Sequence, residues 1–122
     1  MAKRSDVVDK LVSDVLKSLY AIAVLRIIAE RGPIHGYGIR RVLEEVSGGR
    51  VRPSESTVYD TLKRLERMGL VESFWGESPV GGPMRKYYRV SEKGREVLAR
   101  VLEELAPLLR SLVLIESGGA RR

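Results

Sequence analysis

Apolar residues recur at a helical period through nearly the whole chain. The one stretch that breaks the rule, Leu70 to Val90, reads as two strands around a glycine- and proline-rich turn. That single interruption limits the fold to a mainly α body carrying one small β-hairpin. A first helix is expected over Asp6 to Ala29, where Val7, Val8, Leu11, Val12, Val15, Leu16, Leu19, Ile22, Ala23 and Ile27 line up, capped by Ser5 or Asp6 and stopped at Gly32-Pro33. At 1.5 Å per residue it is about 36 Å long, comparable to a whole domain of this size, so part of it must project or pack on something else.

A second helix is expected from Gly36 to Val46, with Ile39, Val42, Leu43 and Val46 inward and Ser47-Gly48-Gly49 as its end. The third follows Ser54 as N-cap, buries Val58, Leu62 and Leu65, and stops at Gly69, with Leu70 placed for a Schellman contact. Strands over Leu70 to Trp75 and Met84 to Val90 then flank the loop Gly76 to Pro83. Ser91 caps a last helix reaching about Glu116, in which Pro107 predicts a kink near Glu104 to Ala106 or a fresh start. Residues 117–122 are expected to be a disordered tail.

A chain of 122 residues holds one domain with a modest core. Its 22 Lys and Arg against 16 Asp and Glu, a net charge of +6, favour a polyanionic partner. Cysteine is absent and His35 is the single histidine, which excludes disulfides, thiolate nucleophiles and a multi-histidine metal centre within one chain. No spaced carboxylate pair or phosphate-cradling glycine loop is evident, so no catalytic residue, metal or cofactor is assigned and an enzyme is disfavoured. The chain also lacks Asn and Gln, in keeping either with a thermophilic source avoiding thermolabile amides or simply with biased codon usage. No apolar run is long enough to span a bilayer and no signal-peptide pattern follows Met1, which makes a cytoplasmic protein the default expectation.

The order helix, helix, turn, helix, hairpin, helix is what a winged helix-turn-helix requires: the third helix enters the major groove of duplex DNA and the hairpin lies along the adjacent backbone. Helical spacing turns Ser56, Asp60, Lys63 and Arg67 away from the core stripe, flanked by Thr57, Tyr59 and Arg64. Base readout is expected from Ser56, Thr57, Tyr59 and Asp60 near the N-terminus, and phosphate contacts from Lys63, Arg64 and Arg67. The competing reading is a solvated face, with Lys63 and Arg67 paired to Glu66 and with Ser56 and Thr57 serving the cap. On the hairpin, alternation sends Arg85 and Arg89 to one face and Lys86 to the other, so at most one face meets phosphate; a charge-protected edge strand is the alternative. His35 is expected to cap or pack. Tyr37 belongs either to the core or to a phosphate. Trp75 is read as packing at the hairpin, with ligand contact as the other option.

Three segments in order and spacing carry a resemblance: Ile34-His-Gly-Tyr-Gly-Ile39; Ser56-Thr-Val-Tyr-Asp-Thr-Leu-Lys-Arg-Leu-Glu66 followed by Gly69-Leu-Val71; and Arg85-Lys-Tyr-Tyr-Arg-Val-Ser-Glu-Lys-Gly94. Together they resemble the PadR-like family of transcriptional regulators, over roughly Lys17 to Ala106. The resemblance implies a homodimer on a two-fold-related operator, usually a repressor, released in some members by an effector, such as a small molecule, or by a stress signal. It implies a recognition helix over Ser54 to Met68, phosphate-contacting tyrosines at Tyr37 and Tyr59, and a wing over Leu70 to Val90. Ser91 stands where a threonine is common. The C-terminal part matches the short members with a single terminal helix, and Val97 to Ile115 lacks the aromatic that helps other members hold flat drugs. The DNA-facing set is thus Tyr37, Ser54, Ser56, Thr57, Tyr59, Asp60, Lys63, Arg64, Arg67, Arg85, Lys86 and Arg89.

The last helix repeats Leu98, Val101, Leu102, Leu105, Leu108, Leu109 and Leu112, a near-heptad stripe too long for one small domain to cover. With Val8, Leu11, Val12 and Val15 of the first helix it predicts a dimer of intertwined terminal helices, unless both stripes pack within one chain. The expected division is a helical extension over 1–16, a winged helix-turn-helix over 17–91 and a dimerisation helix over 92–116. A protein-interaction module that never meets DNA is the rival function.

Overall fold

The computed structural model describes residues 6–115. Helix α1 spans Asp6–Arg31, β1 Ile34–His35, α2 Gly36–Val46, α3 Glu55–Arg67, β2 Val71–Gly76, β3 Arg85–Val90 and α4 Glu92–Leu109, after which Arg110–Leu114 winds as a π-helical turn. The expected cap Ser5, the expected helix end Glu116 and the tail 117–122 lie outside the described residues.

Helices α2, α3 and α4 each start where a side chain takes up an unpaired backbone N–H. His35 Nδ1 accepts from Gly38 N at 3.0 Å, Ser54 Oγ from Thr57 N at 3.1 Å and Ser91 Oγ from Gly94 N at 2.9 Å. Helix α3 ends in the expected Schellman geometry: Leu70 N donates to Leu65 O at 2.9 Å and Gly69 N to Glu66 O at 2.9 Å, with Gly69 at φ 76°.

The hairpin gains a third strand. Ile34 and His35 pair antiparallel with Tyr88 and Tyr87, giving a sheet ordered β1-β3-β2. Two residues beside a proline carry too little periodicity to be read as a strand; the pairing exists because Tyr87 and Tyr88 lie within reach. In the β2–β3 register Val71 faces Val90, Ser73 faces Tyr88 and Trp75 faces Lys86.

The core gathers Val24, Leu25 and Ile28 of α1, Ile39 and Leu43 of α2, and Val58, Leu62 and Leu65 of α3 around Leu70, Val71 and Tyr88. Only the C-terminal half of α1 takes part: its 26 residues span about 39 Å, and Leu11 in the first half is 60% exposed. Leu98, expected in an intermolecular stripe, is 9% exposed and belongs to the core of its own chain, because the first turns of α4 lie against the domain. No fresh helix begins at Pro107. The helix runs through it to Leu109, although a proline there removes one i→i−4 hydrogen bond and crowds the carbonyl one turn back.

The start of α4 is held against the wing by one close approach. Ser91 Oγ donates to Gly69 O at 2.7 Å, Ser91 N donates to Leu70 O at 3.0 Å, and a Cβ at Gly94 would run into that same Leu70 oxygen. Alanine would favour the helix by roughly 1 kcal/mol, yet overpacking at a backbone oxygen costs about 1–3 kcal/mol or more. Gly94→Ala is therefore expected to lower stability in denaturant unfolding, and a midpoint equal to or above wild type would refute the contact.

Candidate nucleic-acid interface

Helix α3 can bury only one stripe. With Val58, Thr61, Leu62 and Leu65 inward, Ser56, Asp60, Lys63 and Arg67 form an exposed ridge. Lys63 and Arg67 do not pair with Glu66, which accepts a hydrogen bond from Ser73 on β2. No ion pair of Lys63, Arg64 or Arg67 occurs among the described residues. Three cations on one helix thus remain available to an anion. At the helix start the hydroxyls are tied together: Ser54 Oγ donates to Thr57 Oγ1 at 2.9 Å and lies 3.2 Å from Ser56 Oγ, so Ser54 and Thr57 serve the cap.

Two grooves flank the ridge. On the wing side lie Tyr37 and Arg40 from α2, Ser56 and Tyr59 from α3, and Trp75, Lys86 and Tyr88 from the sheet. On the other side Thr57, Asp60 and Arg64 look across to Lys17 and Tyr20 of α1, with Arg50 and Arg52 of the α2–α3 connection at its edge. Tyr37 and Tyr59 are both exposed, not core, and Lys63 Nζ sits 5.4 Å from the Tyr59 ring centroid.

The sheet register decides which wing cation joins this surface. Lys86 shares a face with Tyr88 and Trp75, the face turned to α3. Arg85 and Arg89 take the opposite face, where Arg89 Nε donates to Glu72 Oε1 at 3.2 Å and its guanidinium lies 4.9 Å from the Phe74 centroid. The twelve expected residues are therefore split: Tyr37, Ser56, Tyr59 and Lys86 line the wing-side groove, Ser54, Thr57, Asp60 and Arg64 the other, Lys63 and Arg67 stand on the exposed ridge, and Arg85 and Arg89 take the far face of the wing. Trp75, read as packing, is 64% exposed instead. Arg40, Arg50 and Arg52 were missed. Alternation from the buried Val71 could have placed Trp75 on the α3 side, but nothing local marks the three arginines.

The profile of the transcriptional regulator PadR-like family matches residues 24–100, from the buried half of α1 into α4. The chain belongs to this family. It is a family of transcriptional regulators and not of enzymes. An uncharacterised protein of Lysinibacillus sphaericus is 28% identical over 106 residues, covering 87% of this chain and 95% of its own. A PadR family transcriptional regulator from Eggerthella lenta superposes with TM-score 0.77 at 27% identity, covering 92% of this chain and 95% of its own. A PadR-like regulator from Bacillus cereus gives 0.68 at 27% identity, over 84% and 99%. Bacillus subtilis PadR, solved in complex with operator DNA, shares the fold at 23% identity and TM-score 0.59, over 69% of this chain and 46% of its own. No helix among the described residues is long and apolar enough to cross a membrane.

In this PadR-like chain His35 joins the sheet to the candidate interface, stacking with Tyr37 at 6.3 Å and meeting Tyr87 edge-on at 5.4 Å. Burial, and then the nearby Arg85 charge, hold its pKa below 6.5. The unfolded chain binds this proton more readily, so stability falls as pH drops below 6.5 toward the folded-state value, and protonation removes the acceptor that caps α2. His35→Asn keeps a cap without the titration. Its unfolding midpoint is expected to lose less than wild type between neutral and mildly acidic pH; equal losses would show that the cap does not titrate.

Proposed function

We propose that this chain is a sequence-specific double-stranded DNA-binding regulator, working as a homodimeric repressor on a two-fold-related operator. The observation that carries it is the exposed ridge of α3, whose Lys63, Arg64 and Arg67 have no ion pair among the described residues and whose N-terminal turn stands beside Lys86 of the wing. In this reading Ser56, Tyr59 and Asp60 face base edges. Lys63, Arg64, Arg67 and Lys86 take phosphates, with the hydroxyls of Tyr37 and Tyr59 beside them, while Ser54 and Thr57 hold the helix end. Arg85 at the strand end reaches the outer flank of the wing, and Arg89 is engaged with Glu72. Recognition of operator DNA by Bacillus subtilis PadR, of the same fold, supports the reading.

The dimer reading is supported by apolar side chains that stay exposed among the described residues of α1 and of the C-terminal helical segment. Val8, Leu11, Val12 and Val15 are exposed on α1, as are Leu102, Leu108 and Leu112 toward the C-terminus, while Val101, Leu105 and Leu109 are half-buried. Rows of this extent on two helices favour a contact with another chain, and two copies meeting through them would hold two α3 helices at a fixed spacing. Both outer residues of the α4 row are expected to matter: Leu108→Glu with Leu112→Glu should yield a monomer of unchanged helicity in light scattering, and a wild-type monomer at micromolar concentration would sink the dimer.

DNA recognition is tested by selecting bound sequences from random duplexes. The expected footprint has two half-sites about one turn, roughly 34 Å, apart. Lys63→Ala and Arg64→Ala should each weaken binding to all sequences alike and reduce the slope of log K against log salt by about 0.9 per lost phosphate contact. Absence of salt-dependent duplex binding would favour a protein-interaction module, and binding that neither substitution alters would remove Lys63 and Arg64 from the DNA-facing set.

A further inference from the structure

Trp75 is the only tryptophan in the chain, and it is not used to build the fold. It ends β2 on the face that begins with buried Val71 and continues through Ser73, but the domain has run out beneath it and 64% of the side chain is exposed. The groove it lines contains no residue of the apolar rows of α1 and α4. Its surroundings are specific. Lys86 is its cross-strand partner, and Tyr37, Arg40, Ser56 and Tyr59 line the same groove, in which Glu55 is the one acidic residue.

An aromatic wall with cationic rims fits a partner that alternates apolar and anionic groups at short intervals. The sugar-phosphate backbone of DNA has that chemistry, whereas the apolar row of a second copy would leave Lys86 facing nothing it could pair with; Arg40 Nε donates to Pro53 O at 3.2 Å. Resting on the proposed DNA reading, we infer that Trp75 is itself a DNA contact. Its indole packs on the deoxyribose edge of the strand that passes between α3 and the wing, while Lys86 and Arg40 hold the phosphates on either side. The contact carries no base information, so it adds affinity evenly over sequences and fixes the distance between the wing and α3's base-facing turn.

The solitary tryptophan makes the test direct. Fluorescein-labelled random-sequence duplexes of about 25 bp, long enough for two half-sites a turn apart, are titrated at low salt while label anisotropy and tryptophan emission are read together. The expected result is an emission change that follows anisotropy. Trp75→Ala should weaken binding about tenfold across sequences with an unchanged melting temperature, as truncation of a buried interface tryptophan does, and Trp75→Phe should restore most of it. Rising anisotropy with constant emission, and Trp75→Ala within about twofold of wild type, would overturn the contact and leave the DNA reading intact. Absence of any anisotropy change would overturn both. An emission shift on dilution without DNA would place a second copy over the indole and overturn the contact.

Discussion

The seating of α3 is the constraint on which the rest of the structure depends. Val58, Leu62 and Leu65 are between 1% and 3% exposed, locked against Ile28, Ile39 and Leu43. Burying three such side chains is worth about 1.5–3 kcal/mol each, far more than any surface ion pair, so the rotation of the helix about its axis is set from inside. Once it is set, the polar ridge has no freedom to turn away. The candidate recognition surface is the other side of a packing decision.

Around that helix the fold uses short polar contacts where apolar burial cannot act. Ser54 caps the start of α3, the Leu70 and Gly69 amides close its end, and Ser91 ties the end of the hairpin to α4 through Gly69 O and Gly94 N. His35 does the same for α2 while its ring packs on two tyrosines. These groups lie at element ends, where backbone N–H groups have no helical partner. They fix the angle between α3 and the wing, and with it the width of the groove that holds Tyr59, Lys86 and Trp75.

Much of this was legible in the residues. The bounds of α2, the cap and Schellman end of α3, the two long strands and the outward set Ser56, Asp60, Lys63 and Arg67 follow from local periodicity and from glycine and serine placement. Other features were not. The strand at Ile34 and His35 depends on a partner more than fifty residues away, Leu98 has the same spacing as the exposed leucines after it, and Trp75 looks like any strand aromatic. For these residues the periodicity names a face without saying what that face meets.

The amino-acid order by itself determined which helices form, where α2 and α3 stop, and which side of α3 is polar, because helical period, caps and breakers act over a few residues. Only the tertiary structure decided which wing face turns toward α3. Lys86 joined the candidate interface and Arg89 was left to Glu72 because the register of β3 with β2, and the docking of that sheet on Tyr88 and Val71, select one of two faces that alternation leaves equivalent. The same holds at the chain's two ends. Their apolar rows are written in the residues, but that the domain covers Leu98 and leaves Leu11 and Leu112 bare depends on how far the packed core extends.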